Sequence, residues 1–255
     1  MIHPTAARGF VHPDVYERGR PGYPQAAVDA LGLTDRHAVA DLGCGTGKIT
    51  GQLAATGATV IGIEPLEAML GTFRTLHPDI ETVSGSAEAI PAADATFDVV
   101  VCASAFHWFD HSRAIPEIHR VLKPSGRLAI VWNRRDKLEG WSRAFWEITE
   151  AHRGDTPGYR DGLWRSAIER SGLFGPIREQ HFEHTQRTDL DGLLARVASI
   201  SFIETLPPDA RQQVIDESRR FLRTHPETKD AETFDLPYRT ALYVTMRAGD
   251  RIPGP

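Results

Sequence analysis

Residues 40–50 read ADLGCGTGKIT, with an acidic residue at Asp41 and glycines at 43, 45 and 47 directly after a short apolar run. Alternate glycines permit positive φ angles and let a ligand approach the main chain closely. The residues that follow begin a helix, whose free N–H groups favour acceptor or negative groups. Three ligand classes use such loops, and spacing separates them. A phosphate-binding P-loop needs G-x-x-x-x-G-K-[ST]. Gly47 and Lys48 match its end, but Leu42 stands at the first glycine and Ile49 at the hydroxyl residue that would hold magnesium. A dinucleotide loop needs G-x-G-x-x-G. Counting from Gly43 puts Lys48 at its third glycine, and counting from Gly45 puts Thr50 there. Neither pattern fits. What remains is acidic-x-G-x-G-x-G, seen as Asp41, Leu42, Gly43, Cys44, Gly45, Thr46 and Gly47.

The elements around the loop set its place. Between residues 25 and 132 strand patterns alternate with helical ones: HAVADL, ATVIGIE, the alternating DIETVS, FDVVVCA and RLAIVW read as five strands. Strands separated by helices at this spacing imply a parallel, doubly wound sheet. In such a sheet the ligand crevice lies beyond the carboxyl ends of the strands, where Asp41 to Gly47 stand. The second half differs. EGWSRAFWEITEAHR and DGLWRSAIERSGLF read as helices, IREQHFEHTQRT as a strand, LDGLLARVASISFI and PPDARQQVIDESRRFLRTH as helices, and LPYRTALYVTMR as a last strand. The expectation is an α/β fold of Rossmann-like type: a mostly parallel seven-stranded sheet, helices on both faces and an inserted helical cap. One domain would span 1–255, with a ligand-binding core at 25–135 and cap elements at about 138–172 and 189–225.

Composition narrows the function. The 255 residues carry a formal net charge of −5, which argues against a general grip on nucleic acid. No stretch approaches the roughly 20 apolar residues that span a bilayer. The first residues, MIHPTAARGF, lack the basic and then apolar regions of a secretory signal. Two cysteines, Cys44 and Cys102, make neither a disulfide framework nor a zinc site alone. A cytoplasmic protein with two buried free thiols is expected, with no membrane partner. The oligomeric state is not legible.

The loop resembles that of the class I S-adenosylmethionine (SAM)-dependent methyltransferases, type 11 family. Further matches are VIGIEP, GSAEAIP, ASAFHWFD and IHRVLKPSGRLAIVWN. YERGRPGYP resembles the opening of the small-molecule branch that includes trans-aconitate methyltransferase-like proteins, so the likeness runs from about residue 16 to 135. It implies SAM as cofactor and S-adenosylhomocysteine as product. Asp41, Leu42, Gly43, Gly45, Thr46 and Gly47 would hold the methionine end, with Asp41 pairing its ammonium directly or through water. Glu64, with Pro65 beside it, would accept both ribose hydroxyls, since one carboxylate supplies two acceptors side by side. Ser86, Ala87 and Glu88 would meet the adenine edge, and Met69 would either cover the adenine face or pack in the core. Ala103 and Trp108 would flank the cofactor. Arg20 would meet the cofactor carboxylate or stand as a surface charge. Lys48 would begin the next helix, facing away.

Methyl transfer from a sulfonium is an in-line displacement with a good leaving group, so alignment can supply most of the acceleration. A hydroxyl or protonated nitrogen acceptor would also need a base. His107, just past the fourth strand, is the candidate base, against a structural role beside the cofactor. Tyr16 could approach the sulfonium. His107 and His111 stand four apart, but no third clustered ligand accompanies them and no metal is expected. Tyr23, Trp132, Asn133, Arg134 and Arg135 are candidate acceptor-binding residues. The adjacent arginines could bind an acidic acceptor or be a solvated pair, and the cap aromatics could enclose a planar one. The expected partner is a small molecule methylated on an O, N or C atom. Competing readings are a nucleic-acid methyltransferase and a SAM-binding protein without turnover.

Overall fold

The computed structural model describes residues 4–135, 138–159 and 162–249. Five parallel strands come first: β1 (Ala38–Leu42), β2 (Thr59–Glu64), β3 (Glu81–Ser84), β4 (Phe97–Ala103) and β5 (Leu122–Arg134). Two long strands, β6 (Arg178–Asp189) and β7 (Thr233–Met246), complete a seven-stranded sheet in the order β3-β2-β1-β4-β5-β7-β6. β7 runs antiparallel between β5 and β6. The KPSG stretch lies inside β5. There the pairing jumps from Phe97–Leu122 to Val99–Arg127, so residues 123–126 bulge from the ladder.

Both faces of the sheet are covered, which explains the unbroken apolar run VVVCA in β4. Val100 and Cys102 pack in one layer with Ala114, Ile115 and Ile118 of α6 (His111–Val121). Val99 and Val101 pack in the other with Val28 of α3 (Gln25–Asp29) and Leu53, which lies on α4 (Thr50–Ala54). α5 (Glu67–Leu76) follows β2 and buries Met69, Leu70 and Phe73. Cys44 and Cys102 are free and buried.

A separate apolar core lies above the carboxyl ends of the strands. Phe145 and Trp146 of α7 (Gly140–Glu150) meet Leu193 and Val197 of α9 (Leu190–Ala198), Phe202 of α10 (Ser201–Glu204) and Val214 and Leu222 of α11 (Pro208–Thr224). Two N-terminal helices, α1 (Pro4–Arg8) and α2 (Pro13–Gly19), pack on α10 and α9. α8 (Leu163–Ser171) departs from the cap expected at 138–172. Its Trp164 and Ile168, one turn apart, bury against the sheet, with Trp164 4.9 Å from the Trp132 ring and 4.8 Å from Tyr243. Residues 160–161 of that stretch lie outside the described residues.

Candidate active site

A cleft of about 700 Å³ opens beyond the carboxyl ends of β1, β2 and β4. Gly43 and Gly45 form its floor, Glu64, Pro65 and Met69 one side, and Ser86, Ala87 and Glu88 the far end. Ala103 and Trp108 close the opposite side, and Tyr16 descends from α2. The register of parallel strands explains the convergence: Leu42 pairs with Ile63, so the glycine loop and Glu64 leave neighbouring strands side by side.

The three glycines do different work. Gly45 has φ +58°, and a Cβ there would find only Met69 Cε, 3.8 Å away, so the space above it is open. Gly43, at φ +73°, would drive a Cβ to within 2.6 Å of Ala105 Cβ. Gly47 does not line the cleft. A Cβ on it would meet the His77 ring at 2.5 Å, so this glycine serves the packing of α5.

Asp41, Leu42 and Thr46 also stand behind the cleft wall. Asp41 is fully buried, and one carboxylate oxygen, Oδ2, accepts a 2.5 Å bond from the Thr50 hydroxyl. Its Oδ1 has no hydrogen-bond partner. Burial pushes its pKa up to about 7, against the opposing bond from Thr50. Glu64 does reach the cleft. Its Oε2 accepts from the Gly45 N–H at 3.1 Å and its Oε1 from the Leu66 N–H at 3.0 Å. Burial raises it also to about 7, and these two backbone bonds limit the rise. Glu88 accepts from the Asp110 N–H at 3.0 Å.

Lys48 does not face away. Its Nζ pairs with the Glu17 carboxylate at 2.5 Å and donates to the Glu17 carbonyl at 2.7 Å, while the Thr46 hydroxyl donates to Glu17 Oε2 at 2.7 Å. The loop thus clasps α2, which carries Tyr16 over the cleft. Burial raises the Tyr16 phenol, leaving it neutral near pH 7. Tyr23 shares a 2.9 Å hydrogen bond with Ser104 and lines a smaller third cavity of about 330 Å³.

A second cavity, of about 800 Å³, adjoins the first and shares with it Phe10, Tyr16, Ser104 and Trp108. His107, Trp132, Asn133, Arg135 and Arg20 line it. Arg20 therefore lies outside the first cleft, held by Ser199 through its Oγ at 3.1 Å and its carbonyl at 2.6 Å. Trp132 donates its indole N–H to His107 Nδ1 at 3.3 Å. A neutral imidazole so engaged carries its own proton on Nε2. Arg134 is diverted: it bonds to Tyr243 Oη at 3.2 Å and lies 4.0 Å from Glu179, because neighbouring strand residues point to opposite faces. His111 turns from His107, with its Nε2 3.1 Å from the Phe106 carbonyl oxygen and its ring stacked on Phe106. Among the described residues no cluster of three His, Cys, Asp or Glu could hold a metal.

Residues 40–130 match the methyltransferase domain family. The chain is 39% identical over 226 residues to an uncharacterized methyltransferase of Mycobacterium tuberculosis strain H37Rv, covering 88% of this chain and 89% of that protein. This chain belongs to the class I methyltransferases. It is also 32% identical over 233 residues to an uncharacterized methyltransferase-like protein of Schizosaccharomyces pombe, covering 89% of this chain and 91% of that protein. A solved structure from Anaeromyxobacter dehalogenans superposes with a TM-score of 0.61 at 25% identity, covering 90% of this methyltransferase and 97% of that chain.

Several residues of this methyltransferase site were missed in the sequence reading. Ser104 lines all three cavities and holds φ +54°, in the left-handed region that a non-glycine residue seldom adopts. Its N–H donates to the Val131 carbonyl at 2.7 Å, which fixes that conformation. Nothing in the segment ASAF signals it. Phe10, Arg153 and Arg196 come from segments with no local motif, brought in by the packing of α1, α2, α7 and α9.

Proposed function

We propose that this methyltransferase binds SAM in the first cleft and transfers its methyl group to an O, N or C atom of a small molecule in the second cavity. The observation that carries the reading is the shared wall: Phe10, Tyr16, Ser104 and Trp108 border both spaces. Bound there, SAM supplies an electrophilic methyl on a sulfonium that leaves as a neutral thioether. The residues suit that ligand. Open space over Gly45 admits a group against the main chain, and each Glu64 oxygen has lone-pair capacity beyond its backbone bond for a pair of vicinal hydroxyls. Met69 and Leu66 offer an apolar wall to a flat heterocycle. Asp41 acts from behind, through Thr50 and the loop.

The protein's main contribution is alignment. His107, with Nδ1 accepting from Trp132, presents an N–H rather than a lone pair, which favours positioning over proton removal. The net charge of −5 supports a small acceptor over nucleic acid. No helix among the described residues is long and apolar enough to cross a membrane. Two free, buried cysteines suit a reducing compartment, and the same reading has the enzyme working in the cytoplasm. The test is calorimetric titration of SAM into the wild type, Gly45→Val and Glu64→Ala, followed by a labelled-methyl screen of acceptors. Wild-type affinity in both variants overturns the cofactor site.

A further inference from the structure

Four guanidinium groups line the second cavity: Arg20 after α2, Arg135 after β5, Arg153 after α7 and Arg196 on α9. No carboxylate is among its described lining residues. Among the described residues Glu150 meets two of them, bonded to Arg153 at 2.7 and 2.9 Å and standing 3.6 Å from Arg135. Among the described residues the positive charges thus outnumber the carboxylates that meet them, in a site where Arg196 is only 6% exposed.

Aromatic rings hold these arginines. Arg135 lies 3.9 Å and Arg196 5.4 Å from the centre of the same Trp146 ring. Arg20 lies over Tyr16 at 5.1 Å and Arg153 over Phe202 at 5.0 Å. A ring contact restrains a guanidinium while leaving N–H groups for a ligand, and a planar fork matches an oxyanion in two bonds. Arg135 Nη1 and Arg196 Nη1 are buried with no hydrogen-bond partner. Burial, reinforced by the charge of Arg196, lowers Arg135 to about 9 and Arg20 to about 10, so both remain cationic near pH 7. Even with Arg20 assigned to the cofactor carboxylate, three guanidinium groups remain in the cavity, two of them meeting Glu150.

We infer that Arg135 and Arg196 form an oxyanion subsite, and that the methyl acceptor is a small molecule carrying a carboxylate or phosphate group bound between them. The inference rests on the reading of the second cavity as the acceptor site. Arg153, neutralised by Glu150, closes the side of the subsite, and the acceptor's reacting atom turns toward the wall shared with the first cleft.

The test is calorimetric titration of malonate and of inorganic phosphate at fixed ionic strength, into the free protein and into protein loaded with S-adenosylhomocysteine. At least one anion should bind the wild type. Arg135→Gln and Arg196→Gln should each weaken that binding by roughly tenfold or more, as expected for loss of a charged hydrogen-bond partner, with S-adenosylhomocysteine affinity unchanged. Arg135→Lys and Arg196→Lys, which keep the charge but lose the fork, should retain intermediate affinity and serve where a Gln variant does not fold. Binding of malonate alone identifies a carboxylate, and of phosphate alone a phosphate group. Absence of binding by both anions, or wild-type affinity in the variants, overturns the subsite. Failure of S-adenosylhomocysteine to bind overturns the cofactor reading instead, while titrations of the free protein still decide this one.

Discussion

Asp41 offers a measurement of what the loop withholds from solvent. It is 0% exposed, and burial pushes its carboxyl from 3.8 to about 7. The folded pKa is raised, so the folded state binds the proton more tightly than the unfolded chain does. Its contribution to stability is therefore fully present below pH 3.8 and is lost as pH rises through about 7. A rise of about three pH units, at about 1.4 kcal/mol per unit, is about 4 kcal/mol. Asp41→Asn imitates the protonated carboxyl: its amide oxygen can accept from Thr50, and its amide nitrogen occupies the side where Oδ1 has no partner. Urea unfolding of both proteins between pH 4 and 8 measures the difference, and a small part of it comes from Glu64, whose carboxyl the Asp41 charge also raises. The stability of the wild type should fall relative to the variant by about 4 kcal/mol across that range, most of it before pH 7.5. Parallel curves would refute the argument that Asp41 is a desolvated carboxyl held behind the cleft.

Gly43→Ala should destabilise the fold by about 2–4 kcal/mol in denaturant titrations, because the residue has φ +73° and its new Cβ would meet Ala105. Glu64→Ala should weaken SAM binding by roughly 1.5–3 kcal/mol in calorimetry, through loss of hydroxyl acceptors. Glu17→Gln removes the Lys48 ion pair, which is partly exposed, so hydrogen exchange should quicken in α2 by no more than about 1 kcal/mol in protection while the sheet is unaffected. His107→Asn should lower turnover less than tenfold and leave the pH profile unchanged in shape. A loss of roughly 10²–10⁴ with an erased acidic limb would identify a general base instead.

The architecture was legible because its signals are local. Four of the five strands between residues 38 and 134 are built on an apolar run and the third, ETVS, alternates, while the position of a loop at a strand's carboxyl end follows from chain direction alone. Asp41 to Gly47 and Glu64 were found for that reason, and the Leu42–Ile63 register then joins them. The sequence could not say which of these residues reach the cleft. Asp41 and Gly47 retreat behind it because α4 supplies Thr50, α5 supplies Phe73, and His77 follows at the end of α5, to occupy them. Lys48 finds Glu17 in the N-terminal segment, and Arg134 and Arg135 part company because only the fold decides which side of a strand meets the cap. Arg153 and Arg196 lie outside every motif. Periodicity determines which residues share a face of one element, whereas the meeting of charges from distant elements depends on how several such faces pack together. That is why the glycine loop could be read from the chain and the arginine-lined cavity only from its folding.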